Sequence, residues 1–158
     1  EHLYLAKLLT ITLPIWKLKK IKWDIIMTKN NIGIVVANYY NEYTEKLLNG
    51  ATSTLDGSFN YEVFSVPGAW DTVYKINSLV DSFDKFIAIG IICKGDTDHY
   101  EYISSSVANG LIDLTTHKNI YIANCILNVH NLDQAKKRCE ENTNKGKEAA
   151  NALIDIFS

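Results

Sequence analysis

Cysteine, arginine and long uninterrupted apolar runs are all scarce in this 158-residue sequence, and each scarcity removes a class of protein. Cys93, Cys125 and Cys139 are odd in number and lack metal-ligand spacing, so neither a disulfide framework nor a metal cluster is predicted, and free thiols suit a reducing compartment. A formal net charge of -2 provides no basic field for nucleic acid. The early stretch "LYLAKLLTITLPIW" is broken by Lys7 and falls short of the roughly 20 apolar residues that span a bilayer, so no membrane helix is predicted. Its charges follow the apolar run and no small-residue cleavage site comes after, which is a poor match to a secretory signal. Residues 1–26, rich in lysine, read as an organelle-targeting leader or a surface-packing extension, and one folding unit is expected over 27–158, from Met27 onward. Cytoplasm or a plastid-type organelle is the expected location.

With 47% hydrophobic residues, the chain has enough apolar content for one sizeable core. No internal repeat or low-complexity tract interrupts it. "NIGIVVA" (31–37) is a short β-branched run, and Leu47, Leu48, Ala51 and Leu55 then recur at helical spacing. "YEVFSVP" alternates as a strand, after which Trp70, Val73, Ile76 and Val80 mark one helical face. "FIAIGIIC" (86–93) is apolar almost throughout, as a strand covered on both faces would be, and Ile103, Val107, Leu111 and Leu114 mark the next helix. "NIYIANCIL" supplies a fourth strand, and helices over "LDQAKKRCEEN" and "KGKEAANALIDIF" close the chain, the last with Ala149, Leu153, Ile154 and Phe157 facing inward. Alternating strands and helices predict an open α/β domain: a four-stranded parallel sheet between two helix layers, with chemistry at the carboxyl ends of the strands.

The loops at that edge carry the candidates. After the third strand, "KGDTDHYEYI" offers Gly95 for close backbone approach, a hydroxyl at Thr97, and a helix start whose unpaired N–H groups favour an anion. The same string also reads as an ordinary helix start, a capping box with Asp98 as N-cap and Glu101 three residues on, and the two readings are compatible. His99 falls in the first turn, where the helix dipole disfavours its protonated form. The loop after the first strand lacks a Gly-rich or Ser/Thr-rich phosphate cradle and carries Tyr39 and Tyr40 instead. "VPGAWD" brings Trp70 and Asp71, an aromatic face and a carboxylate that suit a planar, hydroxyl-bearing ligand, although either aromatic also suits a core. Arg138 is the sole arginine, and its planar fork is the group that grips phosphate oxygens in pairs.

Together these stretches resemble the 6,7-dimethyl-8-ribityllumazine synthase family. "IAIGIICKGDTDHYEYI" is similar to the family signature "ALGxVIRGxTxHxxYV", "VPGAWD" to "VPGAFE", "LDQAKKR" to "xEQAxxR" and "NKGKEAA" to "NKGxEAA", while "LLNGA" matches the helix after the first strand. The resemblance covers about residues 31–157 and implies a flavodoxin-like three-layer sandwich. It implies condensation of 5-amino-6-(ribitylamino)uracil with 3,4-dihydroxy-2-butanone 4-phosphate, without metal or organic cofactor. It further implies His99 in proton transfer, and Gly95, Asp96, Thr97, Arg138 and Lys145 at the phosphate. Tyr39 would stack on the pyrimidine, Ala69, Trp70 and Asp71 would lie beside the ribityl chain, and the backbone of Ile92 and Cys93 would meet the ring edge.

The resemblance also implies a homo-oligomer, a pentamer or a larger icosahedral shell, with sites shared between neighbours. Asn124 would come from the neighbouring subunit, and "KWDIIM" (22–27) would pair with an adjacent sheet. Asn38 and Tyr40 stand where the family usually has Arg and Asn, and Asp98 where it has Thr or Pro. Those differences motivate a second reading, a non-catalytic flavin- or pyrimidine-binding shell protein of the same fold.

Overall fold

The structure, a computed structural model, describes residues 31–158 together with Pro14 and Lys17. The leader over 1–26, the "KWDIIM" strand and the start at Met27 therefore lie outside the described residues, apart from those two positions.

Strand β1 (Asn31–Ala37) leads to α1 (Asn41–Leu55), β2 (Asn60–Val66) to α2 (Ala69–Leu79), β3 (Lys85–Cys93) to α3 (His99–Lys118), and β4 (Tyr121–Val129) to the short α4 (Leu132–Lys137) and α5 (Lys145–Phe157). The strands form one parallel sheet in the order β2-β1-β3-β4. This is the flavodoxin-like winding, whose order reverses between β1 and β3. The side-chain period of two divides the core. Ile32, Ile34, Val36, Ile87, Ile89, Ile91, Cys125 and Leu127 pack against Leu47, Ala51 and Leu55 of α1 and Ala149, Ala150 and Leu153 of α5. On the other face, Val35, Ala37, Phe86, Ala88, Ile92 and Ile126 meet Ala69 and Ile76 of α2 and Val107 and Leu111 of α3. β3 is central and almost wholly buried, as its continuous apolar run requires.

Residues α1 and α5 occupy are those expected from the sequence, and three other expectations change. β4 begins two residues later than "NIYIANCIL", because Asn119 closes α3 in the left-handed conformation at φ 53°. The helix expected over 132–142 ends at Lys137: Cys139 turns into the core, its thiol 3.5 Å from the Tyr43 carbonyl oxygen. Phe157 is 40% exposed instead of facing inward, with its ring edge-on to Tyr121 at 5.4 Å.

Two motif glycines shape the packing of α1 on α5. A Cβ on Gly146 would stand 1.9 Å from the Leu47 carbonyl oxygen, and one on Gly50 would stand 2.2 Å from Asn144 Oδ1. Between them Asn144 is buried with its amide fully engaged. Its Oδ1 accepts from the N–H groups of Gly146 and Lys147 at 2.9 and 3.2 Å. Its Nδ2 donates to the carbonyls of Lys46 and Cys139 at 3.0 and 3.3 Å. "NKG" is thus in part a docking device that caps α5 and fastens it to α1.

Candidate active site

The loops after β1 and β3 leave the sheet on either side of the reversal in strand order, where a crevice is expected. A cavity of about 330 Å³ opens there. Tyr39 and Tyr40 line it from the loop after β1, Gly68, Ala69 and Trp70 from the start of α2, and Ile92, Cys93 and His99 from the end of β3 and the start of α3. The sequence singled out most of these positions; Ile91, Tyr100 and Ile103 complete the wall and were missed as site residues. Ile103 was detectable, since it lies four residues after His99 on the same helical face.

Each wall has a local cause. β1 ends at Ala37, and the Asn38 N–H donates to the Val66 carbonyl at 2.9 Å, which sends Tyr39 out over the sheet edge. Tyr39 is 76% exposed and meets Tyr40 edge-on at 4.9 Å. Tyr40 is half-buried, and burial, with lesser contributions from Cys93 and Tyr39, raises its phenol above the ordinary tyrosine range. It remains a hydrogen-bond donor at neutral pH. Trp70, expected on a core-facing stripe, is 58% exposed because it sits in the first turn of α2 at the cavity mouth. Gly90 allows α2 to come that close: a Cβ there would stand 3.0 Å from Ile126 Cδ1 and 3.4 Å from Ala69 Cβ.

Asp71 Oδ2 accepts from the Gly68 N–H at 2.9 Å, so one carboxylate oxygen holds the turn into α2. Gly95, Asp96 and Thr97 form the exposed link between Cys93 and His99. The capping box expected there does not form. Asp98 has ψ 3°, far from the extended dihedrals an N-cap needs, and its side chain caps nothing. Glu101 instead accepts from Lys94 Nζ at 2.7 Å, and the His99 N–H reaches Thr97 Oγ1 at 3.4 Å.

Asp71, Gly95, Asp96 and Thr97, although close to lining residues in the chain, are not part of this cavity's lining, and neither are Asn124, Arg138 and Lys145. Asn124 is exposed on the edge strand, its Oδ1 accepting from the Ile126 N–H at 2.9 Å. Arg138 and Lys145 are neighbours: the Lys145 N–H donates to the Arg138 carbonyl at 2.9 Å. Arg138 Nη1 donates to the Gln134 carbonyl at 2.9 Å, and Lys145 Nζ pairs with Glu148.

A larger groove of about 480 Å³ between α2 and α3 shares Trp70 with the cavity. Among its polar groups, Asp113, His117 and Lys118 belong to the last turns of α3, away from the loops that follow the strands, and the His117 ring is engaged with the Asp113 carbonyl of its own helix at 2.8 Å. Among the described residues no group of three or more His, Cys, Asp or Glu could hold a metal ion. No described helix is long and apolar enough to cross a membrane.

A strand end followed by Gly-x-Thr-x-His, facing an aromatic pair and an Ala-Trp-Asp helix start, is a specific arrangement. Residues 29–158 match the family model for 6,7-dimethyl-8-ribityllumazine synthase. The chain belongs to that family. Curated relatives of this name include one from Afipia carboxidovorans, 33% identical over 83% of this chain and 86% of the relative. One from Bartonella henselae is 36% identical over 84% and 90%, and one from Sphingopyxis alaskensis is 37% identical over 79% and 91%. The lumazine synthase family thus spans all the elements that build the cavity.

Proposed function

We propose that this chain condenses 5-amino-6-(ribitylamino)uracil with 3,4-dihydroxy-2-butanone 4-phosphate to give 6,7-dimethyl-8-ribityllumazine, phosphate and water, a transferase step of riboflavin biosynthesis. The observation that carries the reading is the meeting of Tyr39, Trp70, the end of β3 and His99 around one cavity at the strand-order reversal. The reaction asks for little beyond holding two substrates and moving protons. The amine adds to the ketone with loss of water, phosphate leaves after a carbon-bound proton is removed, and the second amine closes the ring with loss of water. Positioning supplies much of such a rate, and a histidine at the cavity wall suits the transfers.

In this reading His99 moves the proton, Tyr39 stacks on the pyrimidine, and the backbone of Ile92 and Cys93 binds its edge. Ala69, Trp70 and Asp71 flank the ribityl chain, Asp71 through the carboxylate oxygen that Gly68 leaves free. Gly95, Asp96 and Thr97 receive the phosphate together with Arg138 and Lys145. A second copy would supply Asn124, Arg138 and Lys145, which supports a homo-oligomer, a pentamer or larger, with shared sites. Tyr39, Trp70, Tyr74, Tyr102 and Ile112 are all exposed, apolar surface of the kind that neighbours cover. We assign the catalytic unit to residues 27–158, with 1–26 as an extension, in the cytoplasm or a plastid-type organelle.

The test is the absorbance time course of lumazine formation from the two substrates, with wild type, His99→Ala and Arg138→Ala in parallel. Formation by wild type is expected, with a loss of about 10²-fold or more in His99→Ala, the span of a general acid–base group. An assembled wild type that forms none would overturn the reading and leave binding without turnover.

A further inference from the structure

The link from β3 to α3 has few internal ties. Around Gly95 a Cβ would meet nothing within 4 Å, and Asp98 caps nothing. Two hydrogen bonds turn the chain into α3, from His99 N–H to Thr97 Oγ1 and from Tyr102 N–H to the Asp98 carbonyl, and both are long at 3.4 Å. One side-chain bridge crosses the whole link, Lys94 Nζ to Glu101 Oε1 at 2.7 Å. Its two ends are anchored. The Lys94 N–H donates to the Val129 carbonyl at 2.8 Å, fixing it to the end of β4, and Glu101 belongs to the first turn of α3. Lys94 Nζ also stands 5.8 Å over the ring of Tyr100, a cavity wall that meets His130 edge-on at 6.1 Å.

We propose that Lys94 and Glu101 are positioning residues whose ion pair clasps the segment between them, presenting Gly95, Thr97 and His99 to the phosphate-bearing substrate as one unit. The proposal rests on the reading of that segment given above. Exposed pairs of this kind contribute little to global stability, so the consequence is local order. Mutual stabilisation favours the charged forms, Lys94 raising the acidity of Glu101 and Glu101 lowering that of Lys94. The competing role is direct: Lys94 attracts the phosphate and Glu101 competes with it. The two roles differ in sign. For a clasp, breaking either end has the same effect and breaking both is no worse than breaking one. For a direct charge, Lys94→Met weakens the phosphate-bearing substrate and Glu101→Gln strengthens it.

The experiment uses the full assembled chain as wild type, Lys94→Met, Glu101→Gln, the double variant and Lys94→Arg. Amide hydrogen exchange over residues 95–99 is measured without substrate, and KM is measured for each substrate in turn. The clasp predicts about two- to fivefold faster exchange in both single variants and in the double, the span an exposed ion pair supplies. It predicts a similar rise in KM for the phosphate-bearing substrate alone, with Lys94→Arg close to wild type. Unchanged exchange, or KM values that move in opposite directions, overturns it. A wild type without turnover defeats the functional reading only, and exchange still decides the clasp.

Discussion

Replacing Asn144 should destabilise the fold in a way that separates its two jobs. Its Oδ1 caps α5 through the N–H groups of Gly146 and Lys147, and its Nδ2 ties the Lys46 and Cys139 carbonyls to the same side chain. Loss of an N-cap to alanine costs about 0.5–2 kcal/mol, and each further buried hydrogen bond about 0.5–1.5. Asn144→Ala should therefore lose roughly 2–4 kcal/mol, a large share of the 5–15 kcal/mol typical of a domain. Asn144→Asp is the sharper variant. It keeps the capping oxygen and gains up to about 1 kcal/mol from the helix dipole, but turns a second oxygen toward two carbonyls where an amide had donated. It should remain at least ~1 kcal/mol less stable than wild type. Urea unfolding followed by circular dichroism, at fixed protein concentration because assembly would add to stability, reads all three proteins. An aspartate variant as stable as wild type would show that the bonds to Lys46 and Cys139 contribute nothing. A loss under ~0.5 kcal/mol in the alanine variant would refute the docking role altogether.

Gly90→Ala should cost about 1–3 kcal/mol by overpacking against Ile126 and Ala69, and should raise KM for the pyrimidine substrate as α2 shifts the Trp70 wall; urea unfolding and steady-state kinetics check the two effects. Burial pushes the Cys125 thiol from 9.0 to about 12, and burial also raises Cys139. Because the folded state then holds these protons more tightly than the unfolded chain, stability should be full below about pH 9 and fall toward pH 12, by at most about 1.4 kcal/mol per pH unit for each thiol. Unfolding free energies between pH 8 and 11 should show that decline, and a Cys125→Ala variant should show a shallower one.

The layer order was legible in the sequence because burial on one or two faces leaves a period. α1 and α5 present Leu47, Ala51, Leu55, Ala149 and Leu153 at helical spacing to one sheet face, and β3 is apolar because both its faces are covered. What escaped depends on single backbone states or long-range contacts. The left-handed Asn119 delays β4, and the inward turn of Cys139 toward Tyr43, distant in sequence, shortens α4. At the site, Asp98 and Glu101 had the spacing of a capping box. Spacing does not report ψ at Asp98, nor that Lys94 stands within reach of the glutamate. The "NKG" match likewise concealed two roles: Asn144 and Gly146 are required by packing, and only Lys145 is left to face outward.

Charge in the 94–101 segment bears on how the proposed site is completed. Asp96, Asp98 and Glu101 stand against Lys94 alone, and Lys94 is already paired with Glu101. A dianionic phosphate entering between Gly95 and His99 would meet a negative local field, which the N–H groups of α3 offset only in part, with about half a charge. Cations from elsewhere are needed for tight binding. Arg138 and Lys145 are held together by the bond from the Lys145 N–H to the Arg138 carbonyl, and both lie outside the cavity lining of their own chain. Their delivery by a second copy would couple phosphate binding to assembly. Dilution that dissociates the oligomer should then raise KM for the phosphate-bearing substrate sharply while a stacked pyrimidine on Tyr39 is retained. A KM for the phosphate-bearing substrate that dilution leaves unchanged would place the cations within one chain after all.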